Sequence, residues 1–365
     1  MQNSKTAYIG LCSNLGDRQR SIRAALKMLG DTPEIKLDAA TEPVETAPLG
    51  QLDQPKYLNA VARIATTLAP ENLLKRLKEI ETDLGRTEHE KWASRTIDLD
   101  LLLYEDQIID LPELKVPHRQ MHLRAFVLDG LCKLNDKLIH PVIDESITEL
   151  ADRLRGTDFV LEPALPQLVV IAGNIGVGKT TLAGNLSEML NCPPILEAYD
   201  DNPFLADVYA GNKDLALDSQ LYFLTSRLRQ LAPATLEPGK IAVCDYVFEK
   251  ELIYARQLLT DRQFALYEKI FQPLKVEVAR PVLAIFLCDR PANCLERIHR
   301  RNRPYEQAIE LDFLRQLDLQ YVHLFDNWKT CPVIRLDMSS FDCTRNGDIR
   351  NLKKQIGSYV AGPWK

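Results

Sequence analysis

The chain has 365 residues, long for one hydrophobic core and comfortable for two. Its 45% hydrophobic and 26% charged residues exclude disorder as the default, and a formal charge of −6 gives no general case for nucleic acid or an anionic membrane as partner. The opening MQNSKTAYIG carries no signal pattern and no apolar run approaches a membrane span, so a cytosolic protein is expected.

In the first half, Tyr8 to Leu11 reads as a short strand. A Gly-Asp turn leads into an amphipathic helix over Arg18 to Leu29, with Ile22, Ala25, Leu26 and Leu29 on one face. A second strand is expected over Leu58 to Thr66, then a helix from Asn72 to Leu84 that opens after Pro70-Glu71 and stops at Gly85. Thr96 to Tyr104 is a further strand, and the whole is an α+β pattern without a phosphate loop. The stretch Gly156 to Gln167 has two Pro and little periodicity. It sets the expected division: a domain over 1–157, a linker over 158–166 and a second domain over 167–365.

The second half opens on the buried strand Leu168 to Ala172. Apolar segments follow before Glu197, Asp245, Asp289 and Asp337, with helical stretches between, which indicates a parallel sheet covered on both faces. Strand carboxyl ends are where ligands sit in such sheets, so about half of these four acids should serve chemistry and the rest turns. The eight Cys form no CxxC pair and read as buried thiols in a reducing compartment.

Two motifs carry chemistry. In Arg95-Thr-Ile-Asp98-Leu-Asp100, strand alternation puts Ile97, Leu99, Leu101 and Leu103 on one face and both acids on the other. Two carboxylates so placed can hold Mg²⁺, or can simply be solvated acids on an exposed face. Arg86, Arg95, His118 and Arg124 lack carboxylate neighbours at helical spacing, and guanidinium groups match phosphate oxygens. The second motif is Gly173 to Thr180, which fits GxxxxGKT between a strand and a helix over Thr181 to Leu190. Its glycines, including Gly173, Gly176 and Gly178, let backbone N–H groups close on phosphate. Lys179 then reaches the outer phosphates, and the Thr180 hydroxyl can ligate Mg²⁺. Further on, Arg297 and Arg301 fall four apart and share a helix face, close to Arg303.

SNLGDR (Ser13 to Arg18), YLNAV (Tyr57 to Val61), IE…LGR (Ile80 to Arg86), RTIDLD (Arg95 to Asp100), VPH (Val116 to His118) and RAFVL (Arg124 to Leu128) occur in order. Residues 6 to 155 thereby resemble 6-hydroxymethyl-7,8-dihydropterin pyrophosphokinase, a folate-pathway enzyme with a ferredoxin-like fold. The resemblance implies Asp98 and Asp100 as Mg²⁺ ligands and Arg86, Arg95, His118 and Arg124 as the grip on ATP, with Arg86 and Arg95 catalytic. It implies Glu81 and Trp92 at nucleotide-site or lid positions. Tyr57 and Phe126 would sandwich the pterin, Asn59 would pair with the ring edge, and Thr46 to Leu49 would contact it through the backbone. The family's mobile loop often has a second Arg after the Arg86 position; here Thr87-Glu88-His89-Glu90 follows.

GNIGVGKTTL, LEAYDDNPFL, Tyr209 with Gln220 eleven residues on, Arg227, CDYVF and RIHRRNRPYEQAI likewise resemble, as a set, the deoxyribonucleoside kinase family. The resemblance implies a P-loop α/β fold in which Glu197 takes the proton of the sugar 5′-hydroxyl. Gln220 would read the base, Tyr209 and Glu306 the 3′-hydroxyl, with Arg227 and Asp245 also at the nucleoside. Arg297, Arg301 and Arg303 would form a lid over the transferring group, Arg301 being catalytic. Many members have Arg after the acid at Asp245; here it is Tyr246, leaving Lys250 or a lid Arg to substitute. The expected whole is a bifunctional enzyme using ATP and Mg²⁺, with neither nucleic acid nor membrane as partner and compatible with a homodimer through the second half. A second half that binds nucleotide or dimerises without catalysis is the competing reading, and another small-molecule P-loop kinase a third.

Overall fold

A computed structural model describes residues 4–49, 54–86 and 95–361. Trp92 and the segment Thr87 to Glu90 lie outside the described residues. The chain forms two compact units, Met1–Val160 and Leu161–Lys365.

In the first unit the order is β1 (Lys5–Ser13), α1 (Arg18–Gly30), β2 (Ile35–Ala40), β3 (Val44–Thr46), β4 (Tyr57–Thr66), α2 (Pro70–Asp83) and β5 (Asp98–Tyr104). The main sheet is antiparallel in the order β2-β4-β1-β5, with β3 also on β4. Asp17 caps α1 by accepting the N–H of Arg20, which ends the turn that the Gly-Asp pair begins. Strand alternation sorts the residues into two layers. Ala60, Ala62 and Ile64 pack with Ile22, Leu29, Leu73 and Leu77 of α1 and α2. Val61 joins the opposite layer, beneath α3 (Ala125–Leu134) and α4 (Ile147–Leu154). Two short hairpins complete the unit, β6 (Ile109–Asp110) with β7 (Lys115–Val116) and β8 (Ile139–His140) with β9 (Glu145–Ser146).

The expectation for Leu103 fails. Ile97, Leu99 and Leu101 do face α1 and α2, but Leu103 lies in the opposite layer with Leu102 and Tyr8. The cause is a bulge: Tyr8 is opposite Leu103 and Ile9 opposite Leu101, so Leu102 is the extra residue and the alternation changes phase there. The Leu102 carbonyl accepts the backbone N–H of His118 at 2.9 Å, so the same irregularity fixes His118 beside the strand.

Buried His140 makes this unit sensitive to acid. Its Nδ1 accepts the N–H groups of Val142 (3.3 Å) and Ile143 (3.2 Å), with the His122 ring 6.1 Å away. Burial, and then His122, lowers its pKa to about 4. The folded state thus resists a proton that the unfolded chain takes up near the ordinary value of about 6.5. Stability from this group is complete above that value and is lost as pH falls toward 4, by up to about 3 kcal/mol. His140→Asn, which keeps an acceptor near those two N–H groups, should flatten the fall of the urea midpoint in that window. An unchanged slope in the variant would assign it to other groups.

The second unit runs β10 (Gln167–Ala172), α5 (Lys179–Leu190), β11 (Pro194–Ile195), α6 (Leu205–Tyr209), α7 (Ala216–Gln230), β12 (Ile241–Cys244), α8 (Lys250–Leu258), α9 (Asp261–Leu274), β13 (Leu283–Cys288), α10 (Pro291–Arg301), α11 (Leu311–Asp326), β14 (Val333–Asp337) and α12 (Asn346–Ile356). Its five strands are parallel in the order β11-β12-β10-β13-β14. All six residues of β10 are buried, as expected for a central strand covered on both faces. Among the described residues, no helix is long and apolar enough to cross a membrane.

Candidate active sites

The first candidate site grows out of strand register. Asn59, Cys12 and Asp98 form one cross-strand row, and Val61, Gly10 and Asp100 form the next on the same face. Both acids therefore open toward the α3 side, where Tyr57, Asn59, Arg95, His118, Arg124, Phe126, Thr46 and Leu49 line one cavity with them. The Ser13-Asn14 pair explains why SNL precedes the turn. Asn14 Oδ1 accepts the Arg95 N–H at 2.6 Å, and Ser13 Oγ donates to the Thr96 carbonyl at 2.6 Å, so this corner holds the chain that carries Arg95.

Polar partners pre-set several groups. Asn59 Nδ2 donates to Thr46 Oγ1 at 2.8 Å, while its Oδ1 accepts from the Cys12 thiol at 2.6 Å. The Tyr57 hydroxyl donates to Gln54 Oε1 at 3.0 Å. Arg86 and Arg95 are not the unpaired donors that their spacing suggests, because both bind Asp98. Burial alone would raise the pKa of Asp98, but the Arg95 and Arg86 guanidiniums hold it below the usual carboxylate range. Burial, and then the Asp98 charge, raises that of Asp100.

Glu81 stands behind this pair rather than lining the cavity. It is buried, accepts the Leu99 N–H at 2.7 Å and binds Arg86 at 2.6 Å, tying α2 to the start of β5. Sequence reasoning missed Cys12 and Asp158. Asp158 accepts the Ala125 N–H at 2.6 Å at the start of α3, beside Arg124 and Phe126. Its only sequence signal was position, after the last expected element.

The second candidate site sits at the carboxyl ends of β10, β11 and β12. The phosphate loop needs its glycines for conformation and for space: Gly178 has φ +113°, and a Cβ on Gly176 would meet the Cys294 carbonyl at 2.5 Å. Lys179 Nζ donates to the Gly173 and Asn174 carbonyls at 3.0 and 2.7 Å. Burial, followed by the nearby Lys250 charge, lowers its pKa to about 8. Asp245 ties the loop to the next strand, accepting from Thr180 Oγ1 at 2.7 Å and from the Glu197 N–H at 2.9 Å.

Glu197 is completely buried and clasped by two cations. Arg227 binds one oxygen, and Lys250 Nζ reaches both, at 2.8 and 2.6 Å. Burial would raise its pKa, but Arg227 and Lys250 outweigh that and hold it ionised. Arg227 is braced from behind by Glu251, which also accepts from the Tyr267 hydroxyl. Gln220, Tyr209, Glu306, Arg297, Arg301 and Arg303 line the same cleft. Arg297 binds Asp289 and donates to the Gly176 carbonyl at 3.3 Å; Arg301 Nε donates to Glu306 at 2.9 Å. Among the described residues the buried Gln220 Oε1 has no partner, so this amide, which lines the cleft, carries an unmet acceptor. Asp337, the last of the four strand-end acids, accepts the N–H of Ser339 two residues on, as turn residues do.

Among the described residues no cluster of three metal-ligating side chains occurs. Mg²⁺ commonly takes only one or two carboxylates alongside phosphate oxygens and water, and both sites offer that donor chemistry: Asp98 with Asp100, and the Thr180 hydroxyl with Asp245.

Known proteins match the two units separately. Residues 8–136 match the family described as 7,8-dihydro-6-hydroxymethylpterin-pyrophosphokinase, and residues 169–361 the family described as deoxynucleoside kinase. A 2-amino-4-hydroxy-6-hydroxymethyldihydropteridine pyrophosphokinase of Pseudomonas aeruginosa is 45% identical over 134 residues, covering 37% of this chain and 83% of the relative. A deoxyguanosine kinase of Bacillus subtilis is 35% identical over 156 residues, covering 42% of this chain and 75% of the relative. A solved deoxyadenosine kinase from M. mycoides with bound dATP superposes with a TM-score of 0.46 at 21% identity, over 52% of this chain and 99% of that one.

Proposed function

Because the chain belongs to the dihydrohydroxymethylpterin pyrophosphokinase family over its first part and to the deoxynucleoside kinase family over its second, we infer a bifunctional enzyme of two ATP-dependent transfers. The first moves diphosphate from ATP to 6-hydroxymethyl-7,8-dihydropterin. The second phosphorylates the 5′-hydroxyl of a deoxynucleoside. The domains are taken as 1–157 and 167–365, with 158–166 between them. The strand-helix-strand-strand-helix-strand order of β1, α1, β2, β4, α2 and β5, with its β2-β4-β1-β5 sheet, supports a ferredoxin-like first domain.

In the first site the pterin lies between Tyr57 and Phe126, whose rings suit offset stacking on a flat heterocycle. Asn59, held by Thr46 and Cys12, meets the ring edge. The hydroxymethyl oxygen gives up its proton to solvent and forms its bond to the β-phosphorus of ATP as the bond from that phosphorus to the α–β bridging oxygen breaks, AMP leaving with the electron pair. Arg86 and Arg95 stand where charge develops, with His118 and Arg124 along the phosphates. Mg²⁺, held by Asp98 and Asp100, would supply neutralisation of the polyphosphate. Phe126→Ala should raise the KM for pterin by about tenfold, from lost stacking and burial, with kcat changed far less. A variant losing kcat at constant KM would place Phe126 outside the pterin pocket.

In the second site the observation that carries the reading is the polarity of one cleft. The phosphate loop and the two cations that clasp buried Glu197, Arg227 and Lys250, line it together with the unsatisfied Gln220 amide and the apolar Leu205, Phe223 and Tyr254. A base on Gln220 presents its sugar 5′-hydroxyl to Glu197, with Tyr209 and Glu306 toward the 3′-hydroxyl. Arg297, Arg301 and Arg303 close on the phosphates, while Thr180 would hold Mg²⁺ with its charge-neutralising role. The ionised carboxylate and the cations Lys179, Lys250, Arg297, Arg301 and Arg303 along the cleft favour catalysis over a binding module.

The test is incubation with ATP and Mg²⁺ plus either the pterin or each of four deoxynucleosides, with AMP resolved from ADP. Pterin-dependent AMP and nucleoside-dependent ADP are expected. AMP alone would leave the second unit a binding module, and no pterin-dependent AMP would remove the first assignment.

A further inference from the structure

Lys250 occupies an unusual place for a buried cation. It begins α8, is 3% exposed, and lines the nucleotide cleft while its ammonium spans both oxygens of Glu197. Its neighbour Arg227 lines the same cleft but is also tied to a second carboxylate, Glu251. Among the described residues Lys250 has no second carboxylate within ion-pair distance. Its other close partners are the faces of Tyr254, at 4.8 Å, and Tyr199, at 5.7 Å. The side chain that follows Asp245 cannot serve the cleft either: Tyr246 is fully buried and its hydroxyl donates to Gln230 at 2.6 Å. Of the two cations on Glu197, both of which line the cleft, Lys250 is thus the one with a single anionic tether. A flexible four-carbon stem lets a lysine ammonium shift between neighbouring oxygens, which a braced guanidinium cannot do.

We propose that Lys250 is a catalytic residue of the phosphoryl transfer, moving its hydrogen bonds from Glu197 to the nucleoside 5′ oxygen and the transferring phosphoryl group. This inference rests on the kinase reading above. The step balances as follows. Glu197 takes the 5′-hydroxyl proton, and the 5′ oxygen forms a bond to the γ-phosphorus of ATP. The bond from that phosphorus to the β–γ bridging oxygen breaks, and ADP leaves with its electron pair. As Glu197 becomes neutral it loses its hold on the ammonium, and the cation follows the negative charge to the phosphoryl oxygens.

Wild-type protein is assayed first for nucleoside-dependent ADP; its absence would fail the kinase reading itself, separately from the role of Lys250. Given wild-type turnover, Lys250→Met should lower kcat by about 100-fold with the nucleoside KM within a few-fold, the scale of losing one transition-state donor. Lys250→Gln keeps a hydrogen bond to Glu197 without the charge, and should lose kcat similarly if the methionine variant does not fold. Lys250→Arg should retain more than a tenth of the activity. Ethylammonium added to Lys250→Ala should restore turnover in proportion to its concentration, which a purely structural role would not permit. Wild-type kcat in a folded Lys250→Gln, or a loss that neither arginine nor the amine restores, would overturn the proposal.

Discussion

Glu197→Gln should abolish nucleoside-dependent ADP formation, lowering kcat by about 10³-fold, while pterin-dependent AMP formation by the same molecules stays unchanged. The amide keeps the shape and a hydrogen-bond acceptor, but it cannot take the 5′-hydroxyl proton. Its second effect is on stability. Arg227 and Lys250 are each 3% exposed; Arg227 would keep Glu251, while Lys250 would lose the one carboxylate it is paired with among the described residues. Removing one member of a buried ionic cluster typically costs about 3–5 kcal/mol. The assay therefore belongs at a temperature where the variant remains folded, as read by circular dichroism. A folded Glu197→Gln that turns over within tenfold of wild type would remove Glu197 from the base role.

The second large effect is expected of Asp98→Asn in the first site. Asp98 does two things: it stands beside Asp100 on the same face of β5 and it binds both Arg86 and Arg95. These act in opposite directions on ATP. Losing the carboxylate would remove the proposed Mg²⁺ ligand, but it would also release Arg95, and Arg86 from one of its two carboxylates, toward phosphate. The expected outcome is thus a kcat for AMP formation lower by about 10²–10³-fold, with ATP affinity little changed. More Mg²⁺ should be needed for half-maximal rate. If only the KM for ATP rises and kcat holds, Asp98 is a phosphate-positioning group and the metal role falls to other ligands.

Much of both sites was legible because their chemistry is written in short, local segments. The phosphate loop and RTIDLD each occupy one strand end, so period and turn chemistry alone place their side chains. What escaped depends on partners distant in sequence. The phase change at Leu102 is invisible in an unbroken apolar run, since it exists only relative to the residues of β1 opposite. Glu251 and Tyr267 brace Arg227 over separations of 24 and 40 residues along three different helices, and no periodicity links them. A hint was present: Glu249, Lys250 and Glu251 place three charges inside an otherwise apolar stretch, and two of them are buried. Cys12 was overlooked because a thiol in an apolar strand reads as core, whereas register sets it between Asn59 and Asp98. The Arg86 ion pair was missed because neither helical nor strand spacing brings Arg86 to Asp98, which the fold does; the Arg95 pair, three residues along the chain from Asp98, was within reach of local spacing and was overlooked.

The division of one chain at Val160 and Leu161 has a consequence for supply. Each molecule synthesised carries one of each unit, so the two catalytic capacities are delivered in a fixed one-to-one dose. A cell cannot raise one by making more protein without raising the other. Any independent adjustment has to act after synthesis, through substrate levels or through ligands that occupy one cavity alone.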